Sequence, residues 1–320
     1  MHSDKTVIGI DIGGTNTTLG FVDLSGSLMC EVTLDTQPEQ PAHILVERLS
    51  DQINQLKSQM PLAIVSAIGI GAPNANYYLG TVENPPNLKW GASVNLVELF
   101  RQKFELPVAV TNDANAAAIG ELLFGGARGM RHAIVITLGT GLGSGIIVNG
   151  ELLYGSDGSA GELGHTTVEP DGRYCACGKR GCLEAYVSAT GICRTVVELL
   201  GQRLDATPLR EANYNQLTSK MIFEAASRGD VIALAAFDIT ARILAMKLAD
   251  AVAHTSPEAI FLSGGFAASG DLLIVPTRCY LEKFLFNSYK GKVKLLRSEL
   301  PDGKGAVLGA AALAWGEVAK

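Results

Sequence analysis

An α/β fold in two domains is predicted by three observations. Short β-branched apolar stretches alternate with longer segments of helical spacing along the whole chain, the pattern of strands and helices packed in layers. A layout of strand, glycine turn, strand and tight turn occurs over residues 6–26 and again over 132–150, as a repeat of pattern rather than identity. Finally, 320 residues, 47% of them hydrophobic and 18% charged, are enough to build cores for two domains of ordinary size.

Residues 6–12 are β-branched and apolar and read as a buried strand. It ends at Gly13-Gly14 and a second strand resumes over 17–22, so the pair reads as a glycine-turn hairpin followed by a turn at 23–27. Over 41–60, Ile44, Leu45, Leu49, Ile53 and Leu56 recur at helical spacing behind Pro41, which suits a helix start. Small and branched side chains make 63–71 a strand. Pro73, Pro85, Pro86 and several asparagines make 74–90 a loop. A short amphipathic helix follows over 94–104, then an apolar strand over 107–111 ending at Asn112-Asp113. An alanine- and leucine-rich helix runs over 114–124. The second half opens with a strand at 132–138 that enters Gly139-Thr140-Gly141-Leu142-Gly143-Ser144-Gly145, continues over 146–148 and turns at Asn149-Gly150. Helices are expected at 185–200, 230–254, 272–286 and 305–318. Strands are expected at 258–262, entering Ser263-Gly264-Gly265, and at 293–296.

The net charge of −6 and the lack of any Lys/Arg-rich run argue against nucleic acid as a partner. The first residues carry charges and no apolar signal core, and no run of eighteen apolar residues exists, so neither a signal peptide nor a membrane span is expected. Six cysteines are present, three clustered at 175, 177 and 182 and three scattered at 30, 193 and 279. That distribution fits a reducing cytoplasm better than a disulfide framework.

The glycines mark where backbone approaches something closely or turns with positive φ. In Asp11-Ile12-Gly13-Gly14-Thr15-Asn16, two glycines after a buried strand let backbone N–H groups converge as an anion nest, with donors added by Thr15 and Asn16. Asp11 suits Mg²⁺ held through water. The alternative is a tight hairpin without a ligand. Gly139, Thr140 and Gly141 open a second glycine hairpin that would grip another part of a nucleotide. Neither the G-x-G-x-x-G of a dinucleotide fold nor a Walker loop is present. Gly264 and Gly265 follow a strand, where backbone could lie close to an adenine or ribose.

Asn112-Asp113 lies at the carboxyl end of a strand, where open α/β sheets place ligands. Read alone, Asp113 is a helix N-cap before it is a base. With a phosphate between two glycine hairpins, an acceptor hydroxyl needs an oriented carboxylate, and Asp113 is the best-placed candidate.

Residues 160–188 read AGELGHTTVEPDGRYCACGKRGCLEAYVS. His165, Cys175, Cys177 and Cys182 supply one imidazole and three thiolates, a tetrahedral zinc set. Glu162 stands one helical turn before His165, and Glu184 two residues after Cys182. A metal beside two carboxylates suggests a rigid pocket for a polar ligand; a metal that only staples a loop is the plainer reading.

Taken in order, Asp11-Ile12-Gly13-Gly14-Thr15-Asn16, Asn112-Asp113-Ala114-Asn115-Ala116-Ala117-Ala118, Gly139-Thr140-Gly141-Leu142-Gly143-Ser144-Gly145, Glu162-Leu163-Gly164-His165 and the segment from Cys175 to Glu184 resemble the ROK family of repressors, open reading frames and sugar kinases. Within it the chain is most similar to the bacterial ATP-dependent glucokinases. Each motif is weak alone; the ordered set is specific and spans essentially the whole chain. The resemblance implies an actin-like fold of two α/β domains with the active site in the cleft. A smaller domain would take residues 1–118, with a helix at about 306–320 packing back on it. A larger domain would take 119–305, with the zinc segment at 165–182.

The resemblance further implies that Asp113 activates the 6-hydroxyl of a hexose, most simply glucose, for phosphorylation by ATP with Mg²⁺. Asn112, Glu162, His165 and Glu184, joined by Asn87, would meet sugar hydroxyls, and His165 would ligate structural Zn²⁺ through its other ring nitrogen. A cytoplasmic homodimer or homotetramer is expected. Three alternatives stand beside glucose phosphorylation. The sugar could be N-acetylmannosamine, N-acetylglucosamine, allose or fructose. A sugar-sensing regulator would need a winged helix ahead of the first strand, and none is expected before residue 6. A zinc-stapled binding protein would show no nucleotide dependence.

Overall fold

A computed structural model of the chain describes residues 5–301 and 303–319. They form two compact units, one made of residues 1–130, 150–160 and 299–320, the other of 131–149 and 161–298. In the first unit, β1 (Lys5–Ile12), β2 (Asn16–Asp23) and β3 (Leu28–Asp35) run as an antiparallel meander. Helix α1 (Ala42–Gln59) follows, then β4 (Ile64–Gly71), a small sheet of β5 (Ala75–Asn76), β6 (Thr81–Glu83) and β7 (Ser93–Asn95), and α2 (Leu96–Arg101). Strand β8 (Val108–Thr111) leads into α3 (Asp113–Leu123). Strands β4 and β8 lie parallel to β1, giving the order β3-β2-β1-β4-β8.

The apolar alternation of these strands decides their packing. Ile8, Ile10, Phe21, Ile68 and Ile70 point to one face and bury against Leu45, Leu49 and Ile53 of α1. Val7, Val22 and Ala67 point to the other, against Leu308, Ala311 and Trp315 of the chain's last helix, Gly305–Val318. That helix reaches unusually close because Gly20, Gly9 and Gly69 stand opposite one another on three adjacent strands. A Cβ at Gly69 would overlap the Ala310 carbonyl, and one at Gly20 would come within 3.0 Å of Val307.

In this unit three stretches differ from expectation. β3 had no strong apolar signal because it is a half-exposed edge strand. The 74–90 stretch holds β5 and β6, strands of 2 and 3 residues, too short to show a period. The 94–104 helix contracts to α2 because Asn95 caps it, its Oδ1 accepting the Glu98 N–H at 2.9 Å.

The second unit begins with β9 (Ala133–Leu138) and β10 (Leu142–Val148), an antiparallel pair. The strand resumes at Leu142 rather than 146, since Gly143 and Gly145 pair with Thr137 and Val135 as ladder residues. The two-residue β11 (Glu151–Leu152) belongs to the chain stretch of the first unit. Helices α4 (Ala189–Gln202), α5 (Ser219–Ser227), α6 (Val231–Thr255) and α7 (Asp271–Phe284) surround β12 (Ala259–Ser263) and β13 (Lys294–Arg297). The strand order β10-β9-β12-β13, with β12 parallel to both neighbours, repeats the β2-β1-β4-β8 layout of the first unit. Ile134, Ile136 and Leu262 join Phe237, Leu244, Leu248 and Leu273 in its core. The chain closes with α8 (Gly305–Val318). Among the described residues, no helix is long and apolar enough to cross a membrane.

Candidate active site

In the first unit, three parallel strands deliver two carboxylates to one end of the sheet. The register sets Asp11 of β1 opposite Gly71 of β4, and Gly71 opposite Thr111 of β8. Asn112 and Asp113 follow directly. A Cβ at Gly71 would lie 3.9 Å from Asp11 Oδ1 and 3.9 Å from the Asp113 Cα, so this glycine keeps the space between the acids open. Helix α3 is capped by Asn112, not by Asp113: Asn112 Oδ1 accepts the N–H of Ala114 at 2.7 Å and of Asn115 at 3.3 Å. Asp113 is the first helical residue, and its Oδ1 accepts the Ala114 N–H at 2.8 Å.

The Asp113 carboxylate reaches water yet is walled by protein on most sides. This enclosure pushes its pKa up, against the opposing pull of the backbone N–H groups of Ala114 and Asp113 itself. Asp11 is pushed to about 6, chiefly by burial and then by the negative charge of Asp113. A raised carboxyl pKa in the folded state favours folding at low pH. The contribution is whole below the unfolded value of 3.8 and lost as pH rises through about 6. Asp11→Asn, which mimics the protonated acid, is therefore expected to stabilise the ligand-free protein at pH 7 by up to about 3 kcal/mol. Thermal melts should show the gain shrinking as pH falls from 7 toward 4; a gain independent of pH would contradict this account.

The first glycine loop closes as a tight turn, Gly13 N–H donating to the Asn16 carbonyl at 3.0 Å. Neither glycine has positive φ; both are required by space. A Cβ on Gly13 would come within 2.9 Å of the Asn16 carbonyl, and one on Gly14 within 2.8 Å of Asn87 Cβ. Asn87 is thereby set against the loop, and Thr15 and Asn16 are left exposed. Thr36, which the sequence did not single out, braces the loop from behind. Its Oγ1 donates to the Gly13 carbonyl at 2.8 Å and its N–H to the Thr15 carbonyl at 2.8 Å.

In the second unit, Gly139, Thr140 and Gly141 form the turn between β9 and β10, the Gly139 N–H donating to the Gly141 carbonyl at 3.0 Å. Gly264, at φ +90°, packs on the Leu138 carbonyl just before this turn, and Gly265 faces open space. The two sugar-side carboxylates lean on the same hairpin. Ser144 Oγ donates to the Gly161 carbonyl and accepts the Leu163 N–H at 3.1 Å, which fixes the segment bearing Glu162. Glu184 Oε2 accepts the Leu142 N–H at 2.9 Å.

His165, Cys175, Cys177 and Cys182 bring one imidazole nitrogen and three sulfurs within 4.8 Å of one another. Cys177 Sγ and Cys182 Sγ lie 3.6 Å apart, and Cys175 Sγ lies 3.7 Å from His165 Nδ1. Zinc bonds of about 2.3 Å to sulfur and 2.0–2.1 Å to nitrogen at tetrahedral angles place such donors roughly 3.6–3.8 Å apart. The donor set and its spacing thus fit Zn²⁺. The other ring nitrogen of His165, Nε2, faces Glu162 Oε2 at 4.0 Å.

The loop carrying the cysteines is held by more than sulfur. Arg173 donates to the Ala185 and Gly191 carbonyls at 3.0 and 3.1 Å and to Thr195 Oγ1 at 3.0 Å. It also pairs with Glu198 at 2.6 Å and lies over the Tyr186 ring. An arginine two residues ahead of the cysteine run carries no spacing signal, and the sequence reading passed over it.

Residues 7–317 match the model of the ROK family. The chain is 34% identical over 315 residues to the glucokinase of Thermotoga maritima, a match covering 96% of each chain. It is 34% identical over 287 residues to the glucokinase of Halalkalibacterium halodurans, covering 88% of this chain and 87% of the other. The crystal structure of a ROK family glucokinase from Streptomyces griseus in complex with glucose and AMPPNP matches with a TM-score of 0.81 at 35% identity, over 97% of this chain and 99% of that one.

Proposed function

Because the chain belongs to the ROK family, we propose that it is an ATP-dependent sugar kinase that converts glucose and ATP to glucose 6-phosphate and ADP. The observation that carries this reading is Asp113: a carboxylate relieved of capping by Asn112 and held at the carboxyl end of β8, with Asp11 near it. Similarity to glucokinases over nearly the whole chain supports glucose as the acceptor.

The sugar O6 attacks the γ-phosphorus, the bond from that phosphorus to the β–γ bridging oxygen breaks, and ADP leaves. Such transition states are loose, so little nucleophilic push is required. Asp113 orients the 6-hydroxyl and takes its proton late, then releases it to solvent. Its raised pKa improves its match to that task. The backbone of Gly13–Asn16 and of Gly139–Gly141 serves the phosphates, with Gly264 and Gly265 on the nucleoside. Asp11 is the residue that would hold Mg²⁺, which when bound neutralises phosphate charge. Glu162, Glu184, Asn112 and Asn87 accept from or donate to sugar hydroxyls, together with His165 Nε2.

His165 Nδ1, Cys175, Cys177 and Cys182 would hold a structural Zn²⁺, which would fix the His165 tautomer and leave Nε2 for the sugar. Thiols kept reduced for this purpose fit a cytoplasmic protein. Specificity is tested by coupled ADP release with MgATP over glucose, fructose, allose, N-acetylglucosamine and N-acetylmannosamine. The highest kcat/KM is expected for glucose; a preference for an N-acetylated sugar would contradict the substrate assignment while leaving the site intact.

A further inference from the structure

We infer that Glu184 and Thr190 are positioning residues for the nucleotide hairpin, an inference that rests on the kinase reading above. Three bonds tie the run after Cys182 to the turn between β9 and β10. The Ala189 N–H donates to the Gly139 carbonyl at 2.9 Å, Thr190 Oγ1 donates to the Thr140 carbonyl at 2.9 Å, and Glu184 Oε2 accepts the Leu142 N–H at 2.9 Å. Two of the three turn residues and the first residue of β10 are thus gripped by one segment.

The grip explains a glycine. A Cβ on Gly141 would overlap Glu184 Oε2, so that residue is small because the carboxylate lies against it. The gripping segment is itself stiff. Ser188 Oγ donates to the Glu184 carbonyl at 2.8 Å and accepts the Gly191 N–H at 2.9 Å, capping α4, and Thr190 sits in the first turn of that helix. At its other end the Glu184 carboxylate lies beside the cysteine cluster, its Oε1 3.6 Å from Cys175 Sγ. One side chain therefore links the cysteine loop to the backbone that takes the phosphates. A glycine turn alone samples many conformations, and each unneeded one dilutes the binding-competent form.

Titration of the zinc-loaded protein with MgAMPPNP, in the absence of sugar, tests this. Thr190 is outside the binding machinery, and Thr190→Val removes one donor at nearly constant volume. It is expected to weaken nucleotide binding roughly 3–10-fold, the equivalent of one hydrogen bond. Glu184→Ala should weaken it about 10-fold or more. Glu184→Gln keeps an oxygen to accept the Leu142 N–H, so it should restore nucleotide affinity to within about 3-fold of the original protein while sugar affinity stays low. A residue that met only sugar would leave the nucleotide Kd unmoved, so unchanged values in Thr190→Val and Glu184→Ala overturn the inference. If Glu184→Ala does not fold, Thr190→Val decides alone. Failure of the unsubstituted protein to bind MgAMPPNP overturns the kinase reading as well; binding that no variant disturbs overturns this inference only.

Discussion

Asp113→Asn is expected to lower kcat by about 10³-fold, within the 10²–10⁴ range that general-base catalysis contributes, while glucose affinity stays within about 3-fold. Asparagine has the same shape and retains a side-chain oxygen for the Ala114 N–H, and the α3 cap belongs to Asn112. Fold and helix start are therefore preserved. What disappears is the group that can take the 6-hydroxyl proton. Because burial already disfavours the charged carboxylate, the neutral amide introduces no new unpaired charge. Steady-state rates and calorimetric sugar titration of the same sample separate the two effects. Turnover near that of the unsubstituted protein would remove Asp113 from the base role.

The second large effect concerns the cysteine loop. Cys177 is exposed, whereas Cys175 and Cys182 are buried, so Cys177→Ser tests the metal without opening a cavity in the core. Loss of one thiolate from a set of three sulfurs and an imidazole is expected to drop bound zinc well below one per chain. Sugar affinity should fall by about 10–100-fold, since the metal no longer fixes the His165 ring. Native mass spectrometry and sugar titration check both statements. Arg173 still anchors the loop to α4, so the variant should remain folded. Full zinc occupancy in the variant would contradict the ligand set.

Both predictions concern residues that were visible in the chain itself. Asp113, the glycine turns and the Cys/His set are chemistry-bearing types at short spacing, and β1 and β9, which lead into the glycine turns, are long enough to show their period. The doubled strand layout was legible for the same reason, since β1-β2 and β9-β10 each enclose a glycine turn. The assignment of the α3 cap was not legible. Asn and Asp are both good caps, and in Asn112-Asp113 propensity cannot choose between them; the backbone had to show that ψ is extended at Asn112.

Thr36, Ser144, Arg173 and Thr190 were missed on different grounds. Each acts on residues brought near by pairing or packing rather than by adjacency, as Thr190 does on Thr140 across fifty positions. Gly69 looked like an ordinary strand residue until its register with Gly9 and Gly20 exposed the trough in which α8 lies. Such roles are written in registers, which a single chain of letters does not display.

Phosphorus NMR of a reaction holding glucose, MgATP and the zinc-loaded protein decides whether this chain moves a phosphoryl group from ATP to the 6-hydroxyl of glucose. A new phosphomonoester resonance of glucose 6-phosphate should grow one for one with ADP, and 6-deoxyglucose should give no product. ATP that stays intact, or ADP that appears with inorganic phosphate alone, would contradict that transfer.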